Sequence, residues 1–472
     1  MKQEKDSIKH IEILTLENFF GEGSSLETVH RVISNMLPTV NNMPGIIRQT
    51  IEVAPSRLQL QSFFQVVPML GTYATRVRFS YVFDSTPQAF LFQSYLKGDQ
   101  ASGKSFVRNL YNIIMGPILR HDEKEMRIEQ EYMALKARSR KNEKLPPEPK
   151  TIVFCLPPTV SNTKLLKRAD APVRIFGAPL TLFIFSEEIA LASESNKRAF
   201  SNWRTMSRTG FDLGSTIGQD YLSETSYSAL NVDLMLNMAM CGTPSSIETY
   251  FDKSGLEGGN ASRSIINDLN AQIGDEPPVF KPFSEKQLKA VNELLEKLFA
   301  TIFKPDGEGI QDEIYIDMSW LYPDVKRWCA AKNAESVTSG SYALATFYKR
   351  ASLIAFRVAA LCQFIYILEG KKSYRKYVRQ IYYASAEYIL YGQLREFGER
   401  LEQLRKTQSA APKLKKNLFN SMGDTFTKDD LDKTLQVNEM TSPANVLISQ
   451  WLKRGFIERT AKDNYRKIKK LR

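Results

Sequence analysis

The sequence is poor in the residues that most often build metal centres and acid–base catalysts. Only 4 of its 472 residues are cysteine and only 3 are histidine. The cysteines stand far apart, with no pair at metal-ligand spacing, and no histidine lies near a cysteine or another histidine. Zinc chemistry, a disulfide framework and histidine-based catalysis therefore have little material, and we expect a reduced, cytoplasmic setting.

Long uninterrupted hydrophobic stretches are also missing. The first residues, MKQEKDSIKH, lack the apolar segment of a signal peptide. The most apolar long stretch, residues 352–368, contains Arg357 and Gln363 and is predicted to be a buried helix. We therefore expect no membrane partner.

Positive charge is abundant and unevenly distributed. The formal net charge is +12. Residues 411–472 contain 14 lysines and arginines against 7 acidic residues, a net charge of +7 in this segment. A basic segment of this kind indicates a polyanionic partner such as DNA, single- or double-stranded, although a solubilising surface explains it equally well.

The stretch GDQASGKS, residues 98–105, fits the pattern G-x-x-x-x-G-K-S in full. In this pattern, backbone N–H groups surround the phosphates, the lysine reaches the β- and γ-phosphates, and the last hydroxyl binds magnesium. An apolar strand predicted at residues 89–96 precedes the loop and an amphipathic helix follows it. We therefore predict ATP and Mg²⁺ as cofactors, with a chance match or a decayed loop as the alternative. The candidate residues are Gly98, Asp99, Gln100, Ala101, Ser102, Gly103, Lys104 (also catalytic) and Ser105 (also the metal ligand).

An acidic pair follows a second apolar strand, in LTLFIFSEE. ATP-hydrolysing P-loop proteins use an acid at such a position to hold magnesium through water and to orient the attacking water. We predict Glu188 as the catalytic base and Glu187 as a further catalytic and metal-binding candidate. A site that binds nucleotide without hydrolysis is the alternative.

Two other parts of the chain contain candidates for sensing or stabilising the γ-phosphate. Asn237 and Thr243 belong to the strand segment LMLNMAMCGT and could contact it, although a simple strand-ending turn fits Thr243 as well. Arg263 follows the glycine-rich stretch GLEGGN, and we predict it as a catalytic arginine finger acting on a neighbouring subunit. A surface arginine is the alternative for Arg263, and Arg208 is a weaker second candidate.

The periodicity of the apolar residues divides the chain into four predicted regions. Residues 1–70 are helical and contain no candidate catalytic residue. Residues 71–275 form an α/β core with a largely parallel sheet and a charged helical insertion at residues 120–150. Residues 276–410 are all-helical, opened by a capping box at Ser284 and Gln287. Residues 411–472 read as helix, helix and hairpin, the outline of a winged helix.

The order of these motifs resembles an uncharacterised family of P-loop, primase–helicase-like ATPases of bacterial mobile elements. The matching elements are the P-loop, Glu187 and Glu188, Arg208 with Phe211, Gly242-Thr243-Pro244, and Ser262-Arg263. The similarity covers about residues 40–405, and each motif except the P-loop is short. Ser186 departs from the family, which commonly has an acidic residue there. The resemblance implies a RecA-like core and a role in replicating mobile DNA.

Together these features predict an ATP-dependent, helicase-type motor associated with DNA. Arg263 would complete a neighbour's site in a homo-oligomeric ring, such as a hexamer, and replication or primase proteins would be partners. The alternative is an initiator or regulator in which nucleotide sets the conformation and the terminal winged helix supplies the function.

Overall fold

The computed structural model describes residues 11–100, 102–139, 145–193, 199–219, 228–269, 276, 278–305, 309–437 and 443–468. It divides into two compact units, Met1–Gly398 and Glu399–Arg472. The β-strands are β1 (Val77–Tyr81), β2 (Asp84–Gln88), β3 (Gln93–Lys97), β4 (Cys155–Leu156), β5 (Leu182–Ser186), β6 (Thr216–Gln219), β7 (Ala229–Asp233), β8 (Leu236–Gly242), β9 (Ser264–Asp268), β10 (Ile314–Tyr315), β11 (Thr425–Thr427), β12 (Ile457–Ala461) and β13 (Asn464–Lys467).

Within the described residues the chain forms sixteen α-helices. They are α1 (Leu16–Phe20), α2 (Leu26–Met36), α3 (Gly45–Val53), α4 (Gln59–Tyr73), α5 (Phe106–Ile114), α6 (Gly116–Arg138), α7 (Asn162–Phe176), α8 (Ala199–Thr209), α9 (Pro244–Tyr250), α10 (Lys253–Glu257), α11 (Glu285–Phe299), α12 (Tyr322–Ser339), α13 (Tyr342–Leu368), α14 (Arg375–Ser421), α15 (Lys428–Val437) and α16 (Ala444–Lys453).

The centre of the first unit is a five-stranded sheet in the order β4-β5-β8-β3-β9. All its pairings are parallel. Every residue of β8 is buried, as expected for a strand covered on both faces. The predicted mixed α/β architecture with a parallel sheet is therefore confirmed, and it is compatible with a Rossmann- or RecA-like core.

Strand β3, which precedes the loop, is shorter than predicted. At its start, the Asn237 side chain takes part in the hydrogen bonding of the backbone. Asn237 accepts a hydrogen bond from the Phe92 N–H (2.6 Å) and donates one to the carbonyl oxygen of Phe90 (3.1 Å). Residues 89–92 are buried, and Phe92 also accepts a backbone hydrogen bond from the Met238 N–H (3.0 Å), but the regular pairing of β3 with β8 begins only at Gln93. The predicted strand at residues 89–96 thus begins four residues later.

One face of the sheet is covered by α4, in which every residue from Leu60 to Tyr73 is buried. The long helix α13 contains the predicted buried stretch. Among the described residues it is the one helix long and apolar enough to cross a membrane, but 89% of its most apolar window is buried inside the protein. Arg357 in its middle donates hydrogen bonds to the carbonyl oxygens of Leu91 and Phe211 (2.9 Å each). Burial of this extent is typical of a core helix.

The second unit has its own small sheet and core. The strands are antiparallel in the order β11-β13-β12. Thr427 begins α15 as predicted, since its Oγ1 accepts a hydrogen bond from the Asp430 N–H (3.1 Å). Ser442, expected at the start of α16, lies outside the described residues. The core of this unit is formed by Leu418, Phe419, Met422, Phe426, Leu431, Leu435, Ala444, Leu447, Ile448, Trp451, Ile457 and Tyr465.

Candidate active site

The candidate residues that follow the strands meet at one edge of the parallel sheet. Because all five strands point the same way, their carboxyl ends lie together. Lys97, at the end of β3, pairs in register with Gly242 at the end of β8. The glycine-lysine loop follows Lys97, Thr243 follows β8, and Glu187 follows β5. This edge therefore brings together the loop, the acidic pair and the threonine, which lie up to about 145 residues apart in the sequence.

The loop at residues 98–105 has the backbone geometry that its glycines permit. The Gly98 N–H donates to the Gly242 carbonyl oxygen (3.1 Å), which ties the loop to β8. A Cβ atom at Gly98 would lie 2.5 Å from Ser102 Oγ, and Gly103 has a φ of +86°, in the left-handed region. Ser102 Oγ is buried and has no hydrogen-bond partner. Ala101 lies outside the described residues, and Gln100 is exposed.

The Lys104 side chain folds back over the first residues of its own loop. Its Nζ donates to the carbonyl oxygens of Gly98 (2.6 Å) and Asp99 (2.7 Å). These neutral acceptors bind an ammonium less strongly than charged phosphate oxygens do, so the lysine can exchange them. Helix α5 begins immediately after Ser105, whose side chain makes no capping hydrogen bond. A hard oxygen ligand at this position fits Mg²⁺.

Glu187 is paired with an arginine that the sequence analysis did not single out. Arg108, in the first turn of α5, donates from Nε to Glu187 Oε1 (2.5 Å) and from a terminal nitrogen to the other carboxylate oxygen. These hydrogen bonds hold the pKa of Glu187 below its usual value. Glu187 is thus a carboxylate with both oxygens engaged, and binding magnesium would require it to share or exchange Arg108.

Glu188 belongs to a hydrogen-bonded group that joins β5 to the residues after β8. Ser246 Oγ lies 3.0 Å from Glu188 Oε1 and 3.1 Å from Thr243 Oγ1. Thr243 also caps α9, because its Oγ1 accepts from the Ser246 N–H (3.3 Å). Ser186 Oγ donates to the backbone carbonyl oxygen of Glu188 (2.7 Å). The unusual serine therefore fixes the backbone that carries Glu188, and Ser246 orients its carboxylate.

Asn237 does not reach this edge. It is the second residue of β8 and is fully buried. Its amide bonds to Phe92 and Phe90, and Nδ2 also lies 3.2 Å from Thr72 Oγ1. The interpretation of Asn237 as a γ-phosphate sensor is therefore wrong, because its side chain completes the sheet backbone. Thr243 is the residue of this strand that stands at the carboxyl edge.

Arg263 lies at the opposite edge of the sheet from the loop. It precedes β9, whose first residue, Ser264, pairs in register with the start of β3. Its guanidinium donates to Asp212 Oδ2 (3.0 Å) and to the carbonyl oxygen of Gly259 (3.1 Å). Burial lowers the pKa of Arg263, and the nearby Arg350 lowers it further. Arg263 cannot act on the loop of its own chain, so a role on a neighbouring subunit stays a prediction.

Arg208, the weaker finger candidate, donates a hydrogen bond to the carbonyl oxygen of Gly258 (3.2 Å). Arg263, Arg350 and Arg357 all approach the ring of Phe211, with Arg357 nearest at 4.3 Å from its centroid. Asp212 bonds both Arg263 and Arg350 (3.0 Å each). This arrangement ties β9, α13 and the segment after α8 together.

The chain after β9 covers the outer side of the loop with Glu276, Pro278 and Phe280, which we call the covering segment. The Phe280 ring stacks on Phe106 with the ring centroids 4.5 Å apart. Pro278 lies so close to Gly103 that a Cβ there would be 2.6 Å from the proline ring. Of the site residues that were not predicted from the sequence, Ser246 is the one whose position could have indicated a role, because it lies three residues after Thr243 at the predicted strand end. The covering segment and Arg108 are recognised only in three dimensions.

Comparisons with known proteins do not name this site. No family model matches the sequence, and no curated protein matches it significantly. Within the described residues no group of three or more histidine, cysteine, aspartate or glutamate side chains is arranged to hold a metal. The loop, the acidic pair and the sheet edge therefore carry the functional information in this chain.

Proposed function

We propose that this chain is an ATP-binding and ATP-hydrolysing P-loop protein with a RecA-like core. The observation that carries the proposal is the meeting of the loop at residues 98–105 with Glu188 and Thr243 at one carboxyl edge. Ligands of α/β proteins bind at this edge, and helix N-termini favour phosphates. The strand β8 lies between the loop strand and the acid-bearing strand, which is compatible with such a core.

Each residue of the site has a distinct task in this proposal. The backbone of the loop and the Lys104 ammonium would bind the phosphates, and the Ser105 hydroxyl would hold magnesium, with Glu187 as a further candidate. Bound Mg²⁺–ATP would supply the phosphoanhydride bond that is cleaved. Glu188 would accept a hydrogen bond from the attacking water and orient it. Thr243 and Ser246 would keep Glu188 in position.

The terminal unit supports an association with DNA. Helix α16 follows α15 in this unit and has exposed polar residues, and the hairpin β12-β13 comes directly after it. A winged helix would place such a helix in the major groove, and the hairpin would contact the backbone. The exposed polar and basic residues of these elements are Asn445, Ser449, Gln450, Lys453, Arg454, Arg459, Lys462 and Arg466.

We favour a helicase-type motor in the cytoplasm that acts in the replication of a mobile element, as the family resemblance implies. A homo-oligomeric ring would bring Arg263 of one subunit to the loop of the next, and replication or primase proteins would be further partners. The second candidate is a nucleotide-switched initiator or regulator. The Arg108–Glu187 pair favours it, since a carboxylate held by arginine is less available to magnesium.

Hydrolysis measured with and without single-stranded DNA tests the proposal and separates the two candidates. A motor should hydrolyse ATP slowly alone and at least tenfold faster with DNA, and Lys104→Ala should lose both rates. Nucleotide binding without stimulated turnover would support the switch. Absence of any Lys104-dependent nucleotide binding would overturn both.

A further inference from the structure

We propose that a cavity beside the loop binds the base and ribose of the same nucleotide and selects a base that carries an amino group, as adenine does. This inference rests on the proposed function, because it assigns the rest of the nucleotide whose phosphates the loop would hold. The residues that form the cavity come from the N-terminal helices α2 and α4, in which the sequence indicated no functional residue.

The cavity is large enough for a nucleoside. Its volume is about 600 Å³, and its wall combines α2, α4 and the end of β9. Cavities that bind small ligands commonly range from about 300 to 1,000 Å³ and combine apolar walls with a few polar groups. Leu26, Leu60 and Leu269 supply the apolar part of the wall here, and His30 and Gln61 supply uncharged polar groups. The rest of the lining is polar and includes the charged residues Glu27, Arg31, Arg57, Asp268 and Glu276.

The cavity and the loop share a wall. Leu269 lines the cavity, and its Cδ1 lies 2.9 Å from the position of a Cβ atom at Gly98. The covering segment borders both, because Glu276 lines the cavity and Pro278 lies against Gly103. A nucleotide with its phosphates in the loop would therefore pass Leu269 to place its nucleoside in the cavity.

Gln61 provides the polar group that would read the base. Its side chain is 2% exposed, and Nε2 donates to the carbonyl oxygen of Asp268 (2.9 Å). This hydrogen bond fixes the amide orientation, since the opposite one would set two carbonyl oxygens against each other. Oε1 is left buried with no hydrogen-bond partner. Buried acceptors of this kind are rare, and an amino N–H of a base would satisfy it.

His30 gives the cavity an uncharged aromatic surface. Its ring lies 5.2 Å from Tyr388 and 6.0 Å from Tyr391, measured between centroids, and Nδ1 is 3.4 Å from Gln61 Nε2. Burial lowers the pKa of His30 to about 4, against the raising effect of Asp268. The imidazole is therefore neutral near pH 7 and can stack on a base without carrying a charge into the cavity.

Calorimetric titration of the full chain with three probes tests this assignment. The probes are ATP, inosine triphosphate, which has a carbonyl oxygen in place of the amino group, and inorganic triphosphate, which has no nucleoside. We expect ATP to bind about tenfold more tightly than inosine triphosphate, the effect of one lost hydrogen bond. Inorganic triphosphate should bind more weakly than either nucleotide.

Two substitutions on α4 provide a matched pair. Gln61→Met should abolish the difference between ATP and inosine triphosphate and leave triphosphate binding unchanged. Gln65→Met is the control, because Gln65 lies one turn further along α4, bonds Ser94 through Nε2 (3.0 Å) and also has an unpartnered buried oxygen. It does not line the cavity, so it should keep the discrimination.

Ser34→Phe decides the matter if Gln61→Met fails to fold. Ser34 lines the cavity from α2 and is partly exposed, so an aromatic ring there should obstruct the cavity without entering the core. It should weaken ATP at least tenfold and leave triphosphate unchanged. Equal affinities for ATP and inosine triphosphate, with no effect of Ser34→Phe, would overturn the inference while Lys104-dependent triphosphate binding preserved the P-loop assignment. Failure of all three probes to bind would overturn both.

Discussion

Ser246 and Glu188 are joined by a hydrogen bond of 3.0 Å between Oγ and Oε1, across the carboxyl ends of β5 and β8. The serine is itself held by the cap at Thr243. The glutamate is therefore oriented by residues that follow a neighbouring strand, which is how a water-positioning base is usually kept in place. This relationship distinguishes Glu188 from Glu187, whose partner is Arg108.

The two glutamates should respond differently to loss of charge. We expect Glu188→Gln to keep ATP bound and to slow hydrolysis by at least two orders of magnitude, because an amide cannot take the proton of the attacking water. Glu187→Gln is the matched control and should change kcat far less. Single-turnover hydrolysis measures both. Normal hydrolysis by Glu188→Gln with an inactive Glu187→Gln would reverse the assignment.

Ser246→Ala tests the positioning role separately. Removing the hydroxyl frees the Glu188 carboxylate without removing it, so kcat should fall about tenfold while the KM for ATP stays the same. Ser245→Ala, one residue earlier, is the control, since the Ser245 hydroxyl contacts Thr243 and not Glu188. Equal kcat values for both variants would remove Ser246 from the site.

Loss of the Lys104 ammonium should weaken nucleotide binding. Lys104→Ala removes a direct charge partner of the phosphates, so we expect affinity or turnover to fall at least tenfold, a change of about 1.4 kcal/mol. Its present partners are backbone carbonyls of the loop, and thermal unfolding should therefore change little. Fluorescent-nucleotide binding gives the affinity. Unchanged binding and hydrolysis would contradict the phosphate-loop assignment.

Arg263 would have to act on a neighbouring subunit, since it lies at the opposite sheet edge from its own loop. Inactive Arg263→Ala and inactive Lys104→Ala should then regain part of the activity when mixed, because mixed rings contain some intact composite sites. Arg263 also bonds Asp212, so Asp212→Asn serves as a control for lost structure. No recovery at any mixing ratio, or activity from a strict monomer, would refute this role.

The sheet and the loop were predictable because their signals are local. Short apolar runs separated by helical segments indicate parallel strands, and the loop pattern carries its own strand and helix. Asn237 shows where this reasoning fails. A polar residue in an apolar strand suggests a functional tip, but its amide bonds to the backbone before β3, about 145 residues earlier in the sequence. Only the folded structure shows that contact.

The contacts that form the cavity also could not be predicted from the sequence. Gln61 and Asp268 are 207 residues apart in the sequence, and their hydrogen bond closes the wall beside the loop. No spacing rule connects an N-terminal helix to the end of the last strand of the sheet. The glutamine also stands in a mainly apolar helix beside other buried polar residues such as Ser62 and Gln65, so nothing in the sequence distinguishes it as a ligand contact. The N-terminal region therefore had no predicted role in the site.

Acid should destabilise the first unit through His30. Its pKa is about 4 in the folded chain, lowered by burial, against 6.5 in its ordinary state, so the unfolded chain binds the proton more readily. The free energy of unfolding should thus fall as the pH drops from about 7 to about 4, by about 3 kcal/mol in total. His30→Gln should remove this part of the pH dependence. Denaturant unfolding at pH 7 and pH 4.5 measures it, and equal pH dependences in both proteins would rule it out.

The end of α16 offers two basic side chains to DNA. Lys453 and Arg454 are exposed there and form no ion pair with the described residues. If both contact phosphates, Lys453→Gln with Arg454→Gln should weaken DNA binding and reduce the slope of log affinity against log salt by about 2, since each lost contact releases fewer counterions. Lys428→Gln with Lys433→Gln removes the same charge from α15 and is the matched control. Salt-titrated DNA binding of the three proteins decides between two roles for this unit. A smaller slope in the α16 variant alone indicates DNA contact, whereas equal slopes in all three would assign α16 to protein contacts.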